Sequence, residues 1–119
     1  MSSTDVPPKY KTPYGCSVGS TLGVIGGRWK PVILFKLMEE GVLRFGELHR
    51  LVPGATAKML TNQLRELEVD GIVHREVYAE VPPKVEYSLT AYGLTLKPIL
   101  LAMRDWGAQH SERAKDFKT

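Results

Sequence analysis

Apolar residues recur along this chain with two spacings, a helical one of three to four positions and a strand-like one of two. From Ser17, a suitable N-cap, Val18, Leu22 and Ile25 form one stripe that ends at Gly26-Gly27, which predicts a short first helix. Pro31 suits the first turn of a second helix, where Val32, Ile33, Leu34, Phe35, Leu37 and Met38 cover nearly the whole circumference before Gly41. A helix apolar on every side is expected at the core. Val42 to Phe45 reads as a short extended piece, and Gly46 to Val52 as a brief third helix with Leu48 and Leu51 on one side and Glu47 in its first turn.

Pro53-Gly54-Ala55 then breaks the chain tightly, and Thr56 caps a fourth helix that runs to about Asp70, with Gly71 as its stop. Thr56 lacks a Glu or Gln three positions on, so a simple cap is expected and not a capping box. Val73 to Tyr78 and Val85 to Leu89 both alternate, and Ala79 to Lys84 separates them, which predicts two antiparallel strands and a protruding loop with Pro82-Pro83-Lys84 at its tip. Thr90 caps a long last helix with Leu96, Ile99, Leu100, Met103 and Trp106 on one stripe and Leu94 and Leu101 on another side, so two packing partners are expected. Pro98 either bends that helix or marks the junction of two shorter ones.

This succession predicts a mainly α protein with a small antiparallel β-hairpin, arranged as a winged helix-turn-helix. Residues 1–15 read as a flexible arm, 16–110 as the folded domain and 111–119 as a tail.

The fourth helix carries the informative chemistry. Spaced at 100° per residue, Ala57, Leu60, Leu64 and Leu67 share the edge that must face the core. Lys58, Thr61, Asn62 and Arg65 share the other, offering cations to phosphate and forked donors and acceptors to base edges. Glu66, Glu68 and Asp70 lie toward the carboxyl end, away from a groove entered by the amino-terminal half. Arg75 and Lys84, on the hairpin, are placed to reach backbone phosphate or a minor groove. The plain alternative is an exposed helix face solvated by its own charges, with Arg75 and Lys84 as ordinary strand-edge cations. The order of elements, a helix pair followed at once by a hairpin, favours the DNA reading.

Composition narrows the classes. The length allows one hydrophobic core, and the formal charge of +3 permits a polyanionic partner without requiring one. No apolar run approaches the roughly 20 residues of a bilayer span, and the amino terminus lacks the pattern of a secretory signal, so a cytoplasmic location is expected. Cys16 is the single cysteine, which excludes a disulfide within the chain and a thiolate-rich metal site. His49, His74 and His110 are scattered, so neither metal nor other cofactor is expected. Catalysis by Cys16 with a histidine has nothing in the sequence to orient it, and the glycines of GVIGGRWK lack the ending of a phosphate loop.

With these residues in place, the chain from Cys16 to Gly107 resembles the HxlR family of winged-helix regulators, relatives of the MarR type. The resemblance rests on IGGRWKPVILFKL from Ile25, RFGELHRLVPG from Arg44, KMLTNQLRELEVDGIVHREVY from Lys58, VPPKVEYSLTAYG from Val81 and DWG from Asp105. It implies a homodimeric transcription regulator that binds a short, imperfectly palindromic stretch of double-stranded DNA; repression is the expected outcome, with activation left open by the sequence. The dimer interface is then expected on the first and last helices, at Val18, Leu22, Leu96, Ile99, Leu100, Met103 and Trp106, with Trp29 in the core. The recognition helix carries Lys58, Thr61, Asn62 and Arg65, opened by Thr56, and the wing carries Lys84. Ala55-Thr56-Ala57 departs from the Ile-Ser-Pro turn common in relatives. Several relatives use an amino-terminal cysteine to sense oxidants, quinones or aldehydes, which makes Cys16, close to the amino end of a helix, a candidate redox or electrophile sensor. The competing role for Cys16 is an inert thiol packed in the dimer seam. The competing role for the whole chain is a protein-interaction module without specific DNA binding.

Overall fold

A computed structural model describes residues 16–117; the proposed arm at 1–15 and the last two residues of the proposed tail lie outside it. The elements follow in the order α1 (Ser17–Ile25), α2 (Lys30–Glu40), β1 (Val42–Arg44), α3 (Phe45–Leu51), α4 (Ala57–Val69), β2 (Val73–Tyr78), β3 (Lys84–Leu89), a single 3-10 turn (Gly93–Leu96) and α5 (Lys97–Phe117). The first four expected helices form with boundaries that shift by a residue or so, and the last differs more. Ser17 is not the cap of α1 but its first residue: Ser20 already donates to the Cys16 carbonyl at 3.1 Å, which makes Cys16 the N-cap.

The core is built by Ile33, Leu34 and Leu37 of α2, Leu48 of α3, Leu60, Leu64 and Leu67 of α4, Leu43 of β1, Ile72 and Val73 at the start of the hairpin, and Leu100 of α5. α2 lies at its centre but is not covered on every side. Val32 is 39% exposed, and Phe35 and Met38 are half-buried. Ala57, expected on the inner edge of α4, is exposed because it occupies the first turn, where the helix has only begun to cross the core.

The sheet has three strands and not two, in the order β1-β3-β2, all antiparallel. Val42 to Arg44 pairs with β3 through Leu43 opposite Tyr87, so the extended piece before α3 becomes the third strand. Lys84 opens β3 opposite Tyr78. It therefore stands at the base of the wing, and the tip belongs to the residues before it.

Thr90 organises the return from the sheet. Its hydroxyl donates to the Gly71 carbonyl at 2.6 Å and accepts the Gly93 N–H at 2.9 Å. Gly93 packs so tightly on the α4–β2 corner that a Cβ there would run into the Ile72 carbonyl. The long last helix is thus two pieces, a 3-10 turn and α5, and Pro98 sits in the first turn of α5 where its missing N–H has no helical partner to lose. α5 does not end at 110 but continues to Phe117.

Candidate nucleic-acid interface

The helix-turn-helix is α3, the connection from Val52 to Thr56, and α4. The connection is anchored from both sides. Val52 and Ala55 are buried, and Gly54 adopts φ +99°, a conformation that favours glycine, with the Trp29 ring 3.2 Å from where a Cβ would stand. His49 Nε2 lies 2.8 Å from the Ala55 carbonyl. A carbonyl only accepts, so this nitrogen carries the proton and ties α3 to the start of α4. Thr56 caps α4 as expected, accepting the Met59 N–H at 3.1 Å.

Leu60, Leu64 and Leu67 are completely or almost completely buried, which turns the opposite edge of α4 outward. Lys58, Asn62 and Arg65 are exposed there, and no hydrogen bond or salt bridge to a described residue holds any of them. Thr61 is half-buried and its hydroxyl donates to the Ala57 carbonyl at 2.8 Å, so the hydroxyl oxygen can still accept. The acids of α4 are attended separately. Lys30 Nζ lies 3.4 Å from Glu66, whose other oxygen accepts from Gln63 at 3.3 Å, and Arg75 Nε lies 3.3 Å from Glu68. The outward edge therefore presents uncommitted cations while the neighbouring carboxylates are partly neutralised.

The two wing cations differ from that edge. Arg75 spans from β2 to Glu68 on α4, and the Lys84 ammonium rests 4.6 Å from the centre of the Tyr78 ring. Tyr87, which pairs with Arg75 across the hairpin, has its hydroxyl held above the usual tyrosine range chiefly by burial, against the pull of Arg75 and Arg65. Tyr78 is likewise pushed up, first by its hydrogen bond to Glu86. Both hydroxyls stay neutral at physiological pH and add no negative charge beside α4.

A second, apolar surface is formed by α1 and α5. Val18 and Leu22 of α1 and Ile99, Met103 and Trp106 of α5 are all exposed, Val18 and Trp106 by 70% and 67%. α1, α2 and α5 border a groove of about 330 Å³ lined by Val18, Leu22, Pro31, Ile99 and Met103. Trp106 stacks on His110 with ring centres 5.0 Å apart. Two residues expected on this surface are placed elsewhere. Leu100 is only 2% exposed and belongs to the chain's own core, and Leu96 is half-buried against it, because α5 turns that side toward α2. Trp29 packs against the core as expected. Cys16 is exposed at the amino end of α1.

Sequence reasoning missed Lys30 and the His49 clamp. Nothing in the local pattern marks a lysine as 7% exposed, since the partner that compensates its charge, Glu66, comes thirty-six positions later. Among the described residues no cluster suited to a metal ion occurs, and no helix is long and apolar enough to cross a membrane.

Residues 24–115 match the family model for the HxlR-like helix-turn-helix. The chain belongs to that family. Within the HxlR-like group it is 56% identical over 99 residues to YdeP of Bacillus subtilis, an HTH-type transcriptional regulator, covering 83% of this chain and 77% of that one. The redox regulator HypR in its reduced form superposes with a TM-score of 0.79 at 52% identity, covering 85% of this chain and 99% of that one. The reduced form of the transcriptional regulator YodB from B. subtilis gives 0.68 at 38% identity, covering 79% and 92%. The protein is thus a helix-turn-helix transcriptional regulator with a winged fold.

Proposed function

We propose that the protein binds an imperfectly palindromic operator as a homodimer, acting as a repressor, with α4 in the major groove and the wing beside it. The observation that carries this reading is the outward edge of α4, where Lys58, Asn62 and Arg65 are exposed and uncommitted behind a fully buried leucine backing. Thr56 and Thr61 flank that edge. Thr56 keeps its hydroxyl proton for a phosphate, because the cap uses only its oxygen as acceptor. A chain with one recognition helix reads one half-site, so an operator with two needs two copies about 34 Å apart. Val18, Leu22, Ile99, Met103 and Trp106 supply the face on which a second copy would pack. The uncommitted cations lie on the second helix of a helix-turn-helix, the element that such a motif presents to a groove, and the DNA reading is preferred to a protein-interaction module on that ground.

Duplexes selected from a random pool, titrated by fluorescence anisotropy, test this. Arg65→Ala should weaken the selected duplex by about 1 to 3 kcal/mol and relax preference at one position, as expected for a base contact. Lys84→Ala should weaken all duplexes alike. Wild-type binding that is insensitive to salt would exclude phosphate neutralisation and with it the reading.

The same dimer is read here as oxidant-responsive through Cys16. Its support is the likeness to HypR, a redox regulator solved in reduced and oxidised forms, and the exposure of the thiol. With one cysteine in the chain, oxidation by diamide must join Cys16 to a thiol of a second molecule, two thiols giving up two protons and two electrons to one diamide. Diamide should abolish duplex binding by wild type and leave Cys16→Ser unaffected. Equal loss in both would remove the sensor role.

A further inference from the structure

We propose that Glu68 is a specificity-determining residue that withholds the Arg75 guanidinium from DNA phosphate. The inference rests on the DNA-binding reading above. Arg75 leaves β2 on the side of the hairpin that faces α4, and its Nε donates to Glu68 Oε2 at 3.3 Å. Both side chains remain partly in water, 45% and 37% exposed, so the contact is open to a competing anion and is not sealed in the core. Arg65 stands one helical turn before Glu68 on the same flank of α4, yet no salt bridge joins the two. The carboxylate thus engages the wing arginine and leaves the recognition-helix arginine free.

This division has a physical consequence. A cation free to meet any phosphate adds affinity that carries no base information: a random duplex can shift to gain it in full, whereas a selected duplex, held in one register by its base contacts, gains it only as far as that register brings a phosphate within reach, so discrimination falls. Holding Arg75 on Glu68 removes one such sequence-blind contact while Arg65 keeps its reach to base edges. The pair also links the wing to the helix it accompanies, running from β2 to α4.

The test uses the full chain and a short duplex of random sequence. Glu68→Gln keeps the side-chain shape and removes its charge, which should release Arg75 to a phosphate. The slope of log K against log salt should steepen by about 0.9 per added contact, and random-duplex affinity at 0.1 M salt should rise roughly eightfold. Affinity for a selected duplex should rise less than that, so the ratio of the two falls. Arg75→Gln placed in the Glu68→Gln background should return the slope to the wild-type value. A gain that survives in the double variant would show that Glu68 merely repels DNA by itself and would overturn the proposal, as would an unchanged slope in Glu68→Gln. Failure of the wild type to bind any duplex at low salt would instead sink the underlying DNA reading.

Discussion

Lys30 shows how a single residue couples the core to α4. Its ammonium is buried at the amino end of α2 and is compensated by Glu66 of α4, which itself stays 57% exposed. An ammonium removed from water without a partner is strongly destabilising, whereas replacing it by an apolar chain of similar length is often neutral. Glu66→Ala should therefore cost more stability in urea unfolding than Lys30→Met. The expected losses are about 1 to 2 kcal/mol for Glu66→Ala, less than a fully dry pair would lose because water reaches the carboxylate, and under about 1 kcal/mol for Lys30→Met. The reverse order would mean that the pair stabilises the fold by its attraction and not by cancelling a desolvation penalty.

At the scale of elements, α4 is set by the residue that caps it as much as by its leucines. Thr56 accepts one of the N–H groups that the start of the helix leaves unpaired, and no acidic residue in the first turn supplements it. Thr56→Ala should lower stability by about 1 kcal/mol, while Thr56→Ser should restore nearly all of it. The loss of amide protection in hydrogen exchange should be concentrated between Ala57 and Leu60. This cap, the leucine backing and the outward cations were legible in the sequence, because each is a local pattern of neighbours on one helix. β1 as a third strand was not, since three residues acquire strand character only from β3, which follows more than forty positions later. Pro98 left two outcomes open for the same reason: whether it bends a helix or starts one depends on Thr90 and Gly93 being drawn onto the Gly71-Ile72 corner. Likewise the stripe from Leu96 to Trp106 is continuous on a wheel, but in space α5 divides it, with Leu100 in the core and Ile99, Met103 and Trp106 left outside.

At the scale of the whole molecule, the proposed function assigns two tasks to two separate surfaces, groove reading to the outward edge of α4 and self-association to the exposed apolar residues of α1 and α5. Two copies joined rigidly bind a palindrome as one unit, so the second half-site is met at a high effective concentration and total affinity exceeds that of one half-site by 10²- to 10⁴-fold, to order of magnitude. Met103 lies at the middle of the exposed α5 face, one turn from both Ile99 and Trp106, and is 45% exposed. A glutamate there reaches water in an isolated copy, so Met103→Glu should fold, whereas a paired copy would have to bury two like charges across the seam. Sedimentation should show a dimer for wild type and a monomer for Met103→Glu, with the melting temperature of a dilute sample nearly unchanged. Affinity for a duplex carrying one half-site should then be equal in the two proteins, while affinity for the full palindrome falls at least about a hundredfold in the variant. A variant that stays dimeric and keeps full palindrome affinity would place the seam elsewhere. Loss of half-site binding as well would mean that the charge acts on α4 and not on the pairing of copies.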